Sequence, residues 1–216
     1  MVYLTGTDAK HFLRWDESKC DDGDDIMSAQ ILTLDISGRP YAWLTPEEAV
    51  THYAKEKVAW DLGRERMTFH GGINRAGERS TIQIAPIIAV RGSEIMASQA
   101  WEPLILSDRN NTLLFARDRH TCGYCGCQFP RKELTRDHIV PRSKGGRDTW
   151  TNCVTACLAC NHAKADMPVE QFRPLIYVPY APCRFEHYLL SGRNILADQH
   201  DYLAAKLPEH SRQRVS

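Results

Sequence analysis

The sequence predicts an α+β protein in which a module stapled by four cysteine thiolates follows a small α+β region and precedes a helical C-terminal tail. Strand-like apolar runs and helix openings alternate through the first half, while two Cys-x-x-Cys pairs, Cys122/Cys125 and Cys157/Cys160, bracket 31 residues in the second. The balance of 43% hydrophobic and 25% charged residues over 216 positions suits a buried core, and no run of about 18 apolar residues could span a bilayer.

In chain order, residues 10–15 form a short amphipathic stretch, and the acidic run at 21–25 reads as a solvated loop rather than a metal site. Residues 31–35 read as a strand that the Ser37-Gly38-Arg39-Pro40 turn ends. Thr45-Pro46-Glu47-Glu48 opens a helix to about Lys57, with a hydroxyl cap, proline in the first turn and acids at the positive end of the dipole. Residues 58–62 and 81–90 are further strands. Asn110-Asn111-Thr112 opens a helix over 113–119, with Leu114 and Phe115 packing and Arg117 and Arg119 facing out. A short helix at 168–172, a Pro-rich stretch at 174–182 and a final helix at 194–207 complete the chain. The domain reading is thus 1–106 as an α+β region, 107–173 as the stapled module, and 174–216 as a connector and C-terminal helix.

Four thiolates suit tetrahedral zinc, and Gly123 and Gly126 let the first pair turn tightly around it. The spacing exceeds the ~15–20 residues of common zinc ribbons, so the intervening segment must form a unit of its own. Cys127 and His162 are spare ligands beside the pairs. Cys20, Cys153 and Cys183 lack paired spacing and read as ordinary buried or partly buried thiols.

Between and just beyond the pairs run Asp137-His138-Ile139-Val140-Pro141, Ser143-Lys144-Gly145-Gly146, Asn152 fourteen residues after His138, and Cys157-Leu158-Ala159-Cys160-Asn161 ending at Lys164. Over about fifty residues this resembles the HNH endonuclease family. The resemblance implies a ββα-metal fold around one divalent cation, magnesium or manganese, and hydrolysis of DNA phosphodiester bonds. His138 is then the general base, since an imidazole titrating near neutrality can take a proton from water. Asp137, its neighbour on a strand, points to the opposite face and is the expected metal ligand. Asn152 orients the His-bearing loop. Asn161 fills the third family position, as in the HNH domains of RNA-guided DNA nucleases, and its amide oxygen can ligate a hard cation; His162 is the ligand if the register slips by one. Lys164, one turn beyond Asn161, is expected on a phosphate, and Arg142, Lys144 and Arg147 around Gly145-Gly146 form a phosphate cradle or a polar turn.

Net charge is zero, which excludes a uniformly basic nucleic-acid binder. The charge is nonetheless uneven: residues 1–106 carry 11 Lys and Arg against 16 Asp and Glu, a net of −5, whereas residues 107–173 carry 11 against 7, a net of +4. The basic excess therefore sits on the motif-bearing segment, as a phosphate-backbone partner requires. The N-terminus lacks a basic start and an apolar stretch, which predicts a cytoplasmic protein. Double-stranded DNA, no membrane, and a homodimer or larger complex are the expected partners. The alternative is a catalytically silent zinc module that binds nucleic acid or recruits a partner, as in a phage or defence complex.

Overall fold

The structure is a computed structural model that describes residues 29–73, 75–93, 106 and 111–214; the stretch at 10–15, the acidic run at 21–25 and Cys20 lie outside these residues. The chain divides into two compact units, one of residues 1–100 and 192–202, the other of residues 101–191 and 203–216. The segment read as connector and final helix is thus shared between the units. No helix among the described residues is long and apolar enough to cross a membrane.

The first unit is built on a four-stranded sheet in the order β2-β1-β6-β3, with β1 (Ile31–Leu34), β2 (Pro40–Leu44), β3 (Val58–Leu62) and β6 (Ile87–Val90). β1 pairs in parallel with β6, and both central strands are buried along their whole length, which is why β6 is an unbroken apolar run and β1 is interrupted only by Thr33, whose hydroxyl donates to the Ile31 carbonyl. Helix α1 (Pro46–Ala54) follows β2, and its Thr45 forms a complete capping box with Glu48. It packs with Ala49 on a core of Ile31, Met67, Ile84, Ile88 and Val90. The run at 81–90 is two strands, because Pro86 cannot donate to a ladder: β5 (Arg79–Ile84) pairs instead with β4 (Met67–Ile73) in a separate hairpin. Residues 192–202 return to this unit, where the buried Gln199 amide donates to the carbonyls of Gln30 and Pro86.

The second unit is organised by an antiparallel pair, β7 (Leu134–His138) and β8 (Cys153–Cys157), in which His138 faces Cys153 and Leu134 faces Cys157. Helix α3 (Leu158–Lys164) follows directly, which completes a ββα unit. Two apolar clusters cover it. One holds Leu106, Leu114, Phe115, Leu134, Trp150 and Cys153, and the other Cys122, Tyr124, Val154, Ala156, Cys157 and Cys160. Helix α2 (Thr112–Arg117) supplies Leu114 and Phe115 to the first. Short helices α4 (Val169–Phe172), α5 (Arg184–Ser191) and α6 (Ala197–Ala204) complete the chain.

Arg117 does not face out as its position in the helix suggested; it is fully buried. Nε and Nη2 grip the Asp118 carboxylate at 2.8 and 3.0 Å, and the remaining donors reach the carbonyls of Trp150, Cys153 and Tyr180 at 2.6–2.9 Å. All five N–H groups are thereby spent. A buried guanidinium costs little only when it is paired and saturated in this way, so helical periodicity placed Arg117 on the wrong side.

Candidate active site

The four-cysteine staple sets the frame of the site. The Sγ atoms of Cys122, Cys125, Cys157 and Cys160 all lie within 4.8 Å of one another. Four ligands at the usual Zn–S length of ~2.3 Å stand about 3.8 Å apart in a tetrahedron, so the set fits zinc. The turns are built for it: Gly126 adopts φ 77° and returns its N–H to the Cys122 carbonyl, while the Cys160 N–H donates to Cys157 Sγ at the start of α3. Burial pushes the Cys122 and Cys160 thiols up, so thiolates there need the metal's charge. Cys127 and His162 are exposed and stand outside the four-thiol set.

β7 alternates strictly, and alternation separates the two residues expected to work together. On one face Thr135 and Asp137 meet α3; on the other Arg136 and His138 meet the loop between β7 and β8. Asp137 is 5% exposed, and both its oxygens lie 3.1 Å from Lys164 Nζ. Its Oδ2 also accepts the Tyr124 hydroxyl, which burial and then the hydrogen bond to Asp137 keep protonated, well above the ordinary phenol range. Asn161 lies on the same face, with its amide nitrogen donating to Thr135 Oγ1. The expected ligand pair is therefore brought to one side of the sheet, but Lys164 already supplies the counter-charge. A divalent ion does not fit Asp137 in this arrangement.

Lys164 itself corrects the expectation of a phosphate contact. It is fully buried, and besides Asp137 it donates to the His138 carbonyl at 2.7 Å. The reason is burial: packing of α3 on β7 encloses the lysine together with the Asp137 carboxylate. Tyr124, Asp137 and Lys164 thus form a chain from the zinc knuckle to the backbone of His138.

On the opposite face His138 Nε2 lies 2.9 Å from Asp148 Oδ1, a partner that sequence reasoning missed. The only signal was a carboxylate ten residues downstream in a loop, and the loop has to fold back for the two to meet. Arg136 Nη1 donates to the same oxygen at 2.8 Å. Burial raises the Asp148 pKa, but the hydrogen bonds from Arg136 and His138 outweigh it and hold the carboxyl below its ordinary range. An ionised carboxylate only accepts, so Nε2 must carry the ring proton and Nδ1 is left as the basic nitrogen. The imidazole is 15% exposed, so water can reach the pair.

Asn152 holds the loop. Its Oδ1 accepts from the Val140 N–H at 2.9 Å, and its Nδ2 donates to the carbonyls of Val140 and Arg147 at 3.2 and 3.0 Å. This ties the residues after His138 to those before Asp148. Gly146 is squeezed into the same turn: a Cβ there would stand 1.7 Å from the Val140 carbonyl oxygen. Arg142, Lys144 and Arg147 are exposed on this loop, and Val140 beside them is also exposed. Cys153 is buried next to His138, and burial pushes its thiol up to about 11, which removes it as a nucleophile near neutrality.

Residues 122–174 match the family described as HNH endonuclease, a segment that spans both cysteine pairs, β7, the loop, β8 and α3. No curated protein matches the chain.

Proposed function

Taking the HNH endonuclease match of residues 122–174 as the premise, we propose that this protein is an endonuclease that hydrolyses DNA phosphodiester bonds, with His138 as general base. The observation that carries the reading is the His138–Asp148 pair at 2.9 Å, anchored by Arg136, at the partly buried edge of the matched segment. With Nε2–H held by Asp148, Nδ1 takes the proton of an attacking water, and Asp148 stabilises the imidazolium that results. Asn152 and Gly146 keep the loop closed so that the pair stays in register. Arg142, Lys144 and Arg147 offer exposed cations to the flanking phosphates, which position DNA without reading its sequence. Magnesium or manganese is the expected ion, and Lys164 on both oxygens of Asp137 stands against the Asp137–Asn161 pair as its seat.

That same ion pair favours the second reading, a zinc-stabilised module that binds nucleic acid without cutting it. Incubation of the purified chain with supercoiled plasmid, with and without magnesium or manganese, separates the two. Wild type nicks the plasmid and the His138→Ala variant does not. Equal survival of plasmid with both proteins across the metals would falsify the nuclease reading and leave the binding module.

A further inference from the structure

His138 and Asp148 share their rim with a third potential ligand that the nuclease reading leaves unused. The Sγ of Cys153, a ring nitrogen of His138 and a carboxylate oxygen of Asp148 all lie within 4.8 Å of one another. Strand pairing imposes this closeness, because Cys153 is the residue opposite His138 in the β7–β8 ladder, and the Asn152-pinned loop returns Asp148 over both. From this cluster we propose that the rim of the site is a second cation site, for a borderline divalent ion such as zinc, whose occupation switches off the base at His138. The blocking effect rests on the nuclease reading; the binding site does not.

The donor chemistry selects the ion. A thiolate, an imidazole and one carboxylate suit zinc or cobalt, whereas magnesium and calcium prefer oxygen sets. Three protein ligands with a fourth position left to water is the pattern of an open zinc site. Tetrahedral bonds of ~2.0–2.3 Å place ligand atoms about 3.3–3.8 Å apart, a spacing that donors within 4.8 Å of one another can reach by side-chain adjustment. Arg136 donates to Oδ1 of this carboxylate and, with the ion on Asp148, serves as the outer partner that orients it. Arg142 Nη1 lies 3.9 Å from Oδ2, on an exposed side chain. The thiolate and the carboxylate together balance the two charges of the ion, which offsets repulsion from Arg136.

The protons decide the outcome. When the ion takes Nε2 and the Cys153 sulfur, the thiol proton leaves to solvent and the single proton of the neutral imidazole moves to Nδ1. The nitrogen that should accept a proton from water then already carries one. The ion thus competes directly with the Nε2–H···Asp148 hydrogen bond, and the base is blocked without any change in the staple.

The test uses the full chain isolated with its staple filled. Dialysis against a molar excess of zinc chloride, followed by elemental analysis, should give two zinc ions per chain for wild type. The Cys153→Ser and Asp148→Asn variants should give one; the second of these leaves the buried thiol in place and serves if the first fails to fold. In the same protein, the second equivalent of zinc should silence plasmid nicking by about 10²-fold or more, the share a general base contributes, while Cys153→Ser nicks at the wild-type rate with or without the excess. Wild type that stops at one zinc, or variants that take up the second ion as wild type does, overturns the proposal. A chain that binds two ions but never nicks DNA keeps the site and removes the nuclease reading, so the two failures are told apart.

Discussion

Replacing Lys164 with methionine tests the arrangement around Asp137 most directly. The Lys164 side chain shows no surface, its ammonium lies 3.1 Å from both oxygens of Asp137, and the carboxylate is itself nearly sealed. Two unit charges at that distance attract by about 5 kcal/mol at an effective dielectric of ~20. Methionine keeps the length and the apolar stem but leaves the carboxylate buried without its cation, a loss that costs about 3–5 kcal/mol. For a compact unit of roughly 100 residues this lowers Tm by well over 10 °C. Adding Asp137→Asn removes the stranded charge and still accepts the Tyr124 hydroxyl, so the double variant should recover most of the loss. Denaturant unfolding of the zinc-loaded proteins measures both steps as a double-mutant cycle. The opposite picture, a lysine on a phosphate, predicts an unchanged unfolding midpoint, weaker DNA binding and a salt slope shallower by about 0.9. That combination would refute the buried pair and reopen Asp137 as a metal ligand.

Three further outcomes follow from the same geometry. Asp148→Asn can donate to Nε2 and so permits the wrong tautomer; nicking should fall by about 10²–10⁴-fold while plasmid binding and Tm stay near wild type, and equal nicking rates would remove Asp148 from the mechanism. Gly146→Ala drives a methyl into the Val140 carbonyl and opens the Asn152-pinned loop, so activity should drop about 10²-fold with a smaller effect on zinc content, read by plasmid assay and elemental analysis. Stripping zinc with a chelator, or Cys157→Ser, should unfold the second unit, because burial holds two of the four sulfurs protonated without the ion; far-UV circular dichroism that is unchanged in metal-free protein contradicts a structural role for the staple.

Much of this protein was decided by its sequence alone. Two Cys-x-x-Cys pairs bring four sulfurs together because a tight turn leaves a thiolate pair few other arrangements, and the family match covers the segment they bracket. The helix opening at Thr45 and the strand β1 were legible for the same reason, since local chemistry sets them, whereas the run at 81–90 read as one strand although Pro86 divides it. Partnerships across distance were not. Helical spacing put Arg117 in solvent, and only the convergence of three carbonyls and Asp118 makes its burial tolerable. Residue type and position put Lys164 on DNA, whereas packing of α3 on β7 encloses it with Asp137. Asp148 meets His138 because Asn152 folds a loop of more than ten residues back on itself, and no periodicity encodes that return. Local rules act over a turn of chain, so they name the elements and the staple. Which charges face one another inside the second unit depends on desolvation, and that exists only once the layers have closed.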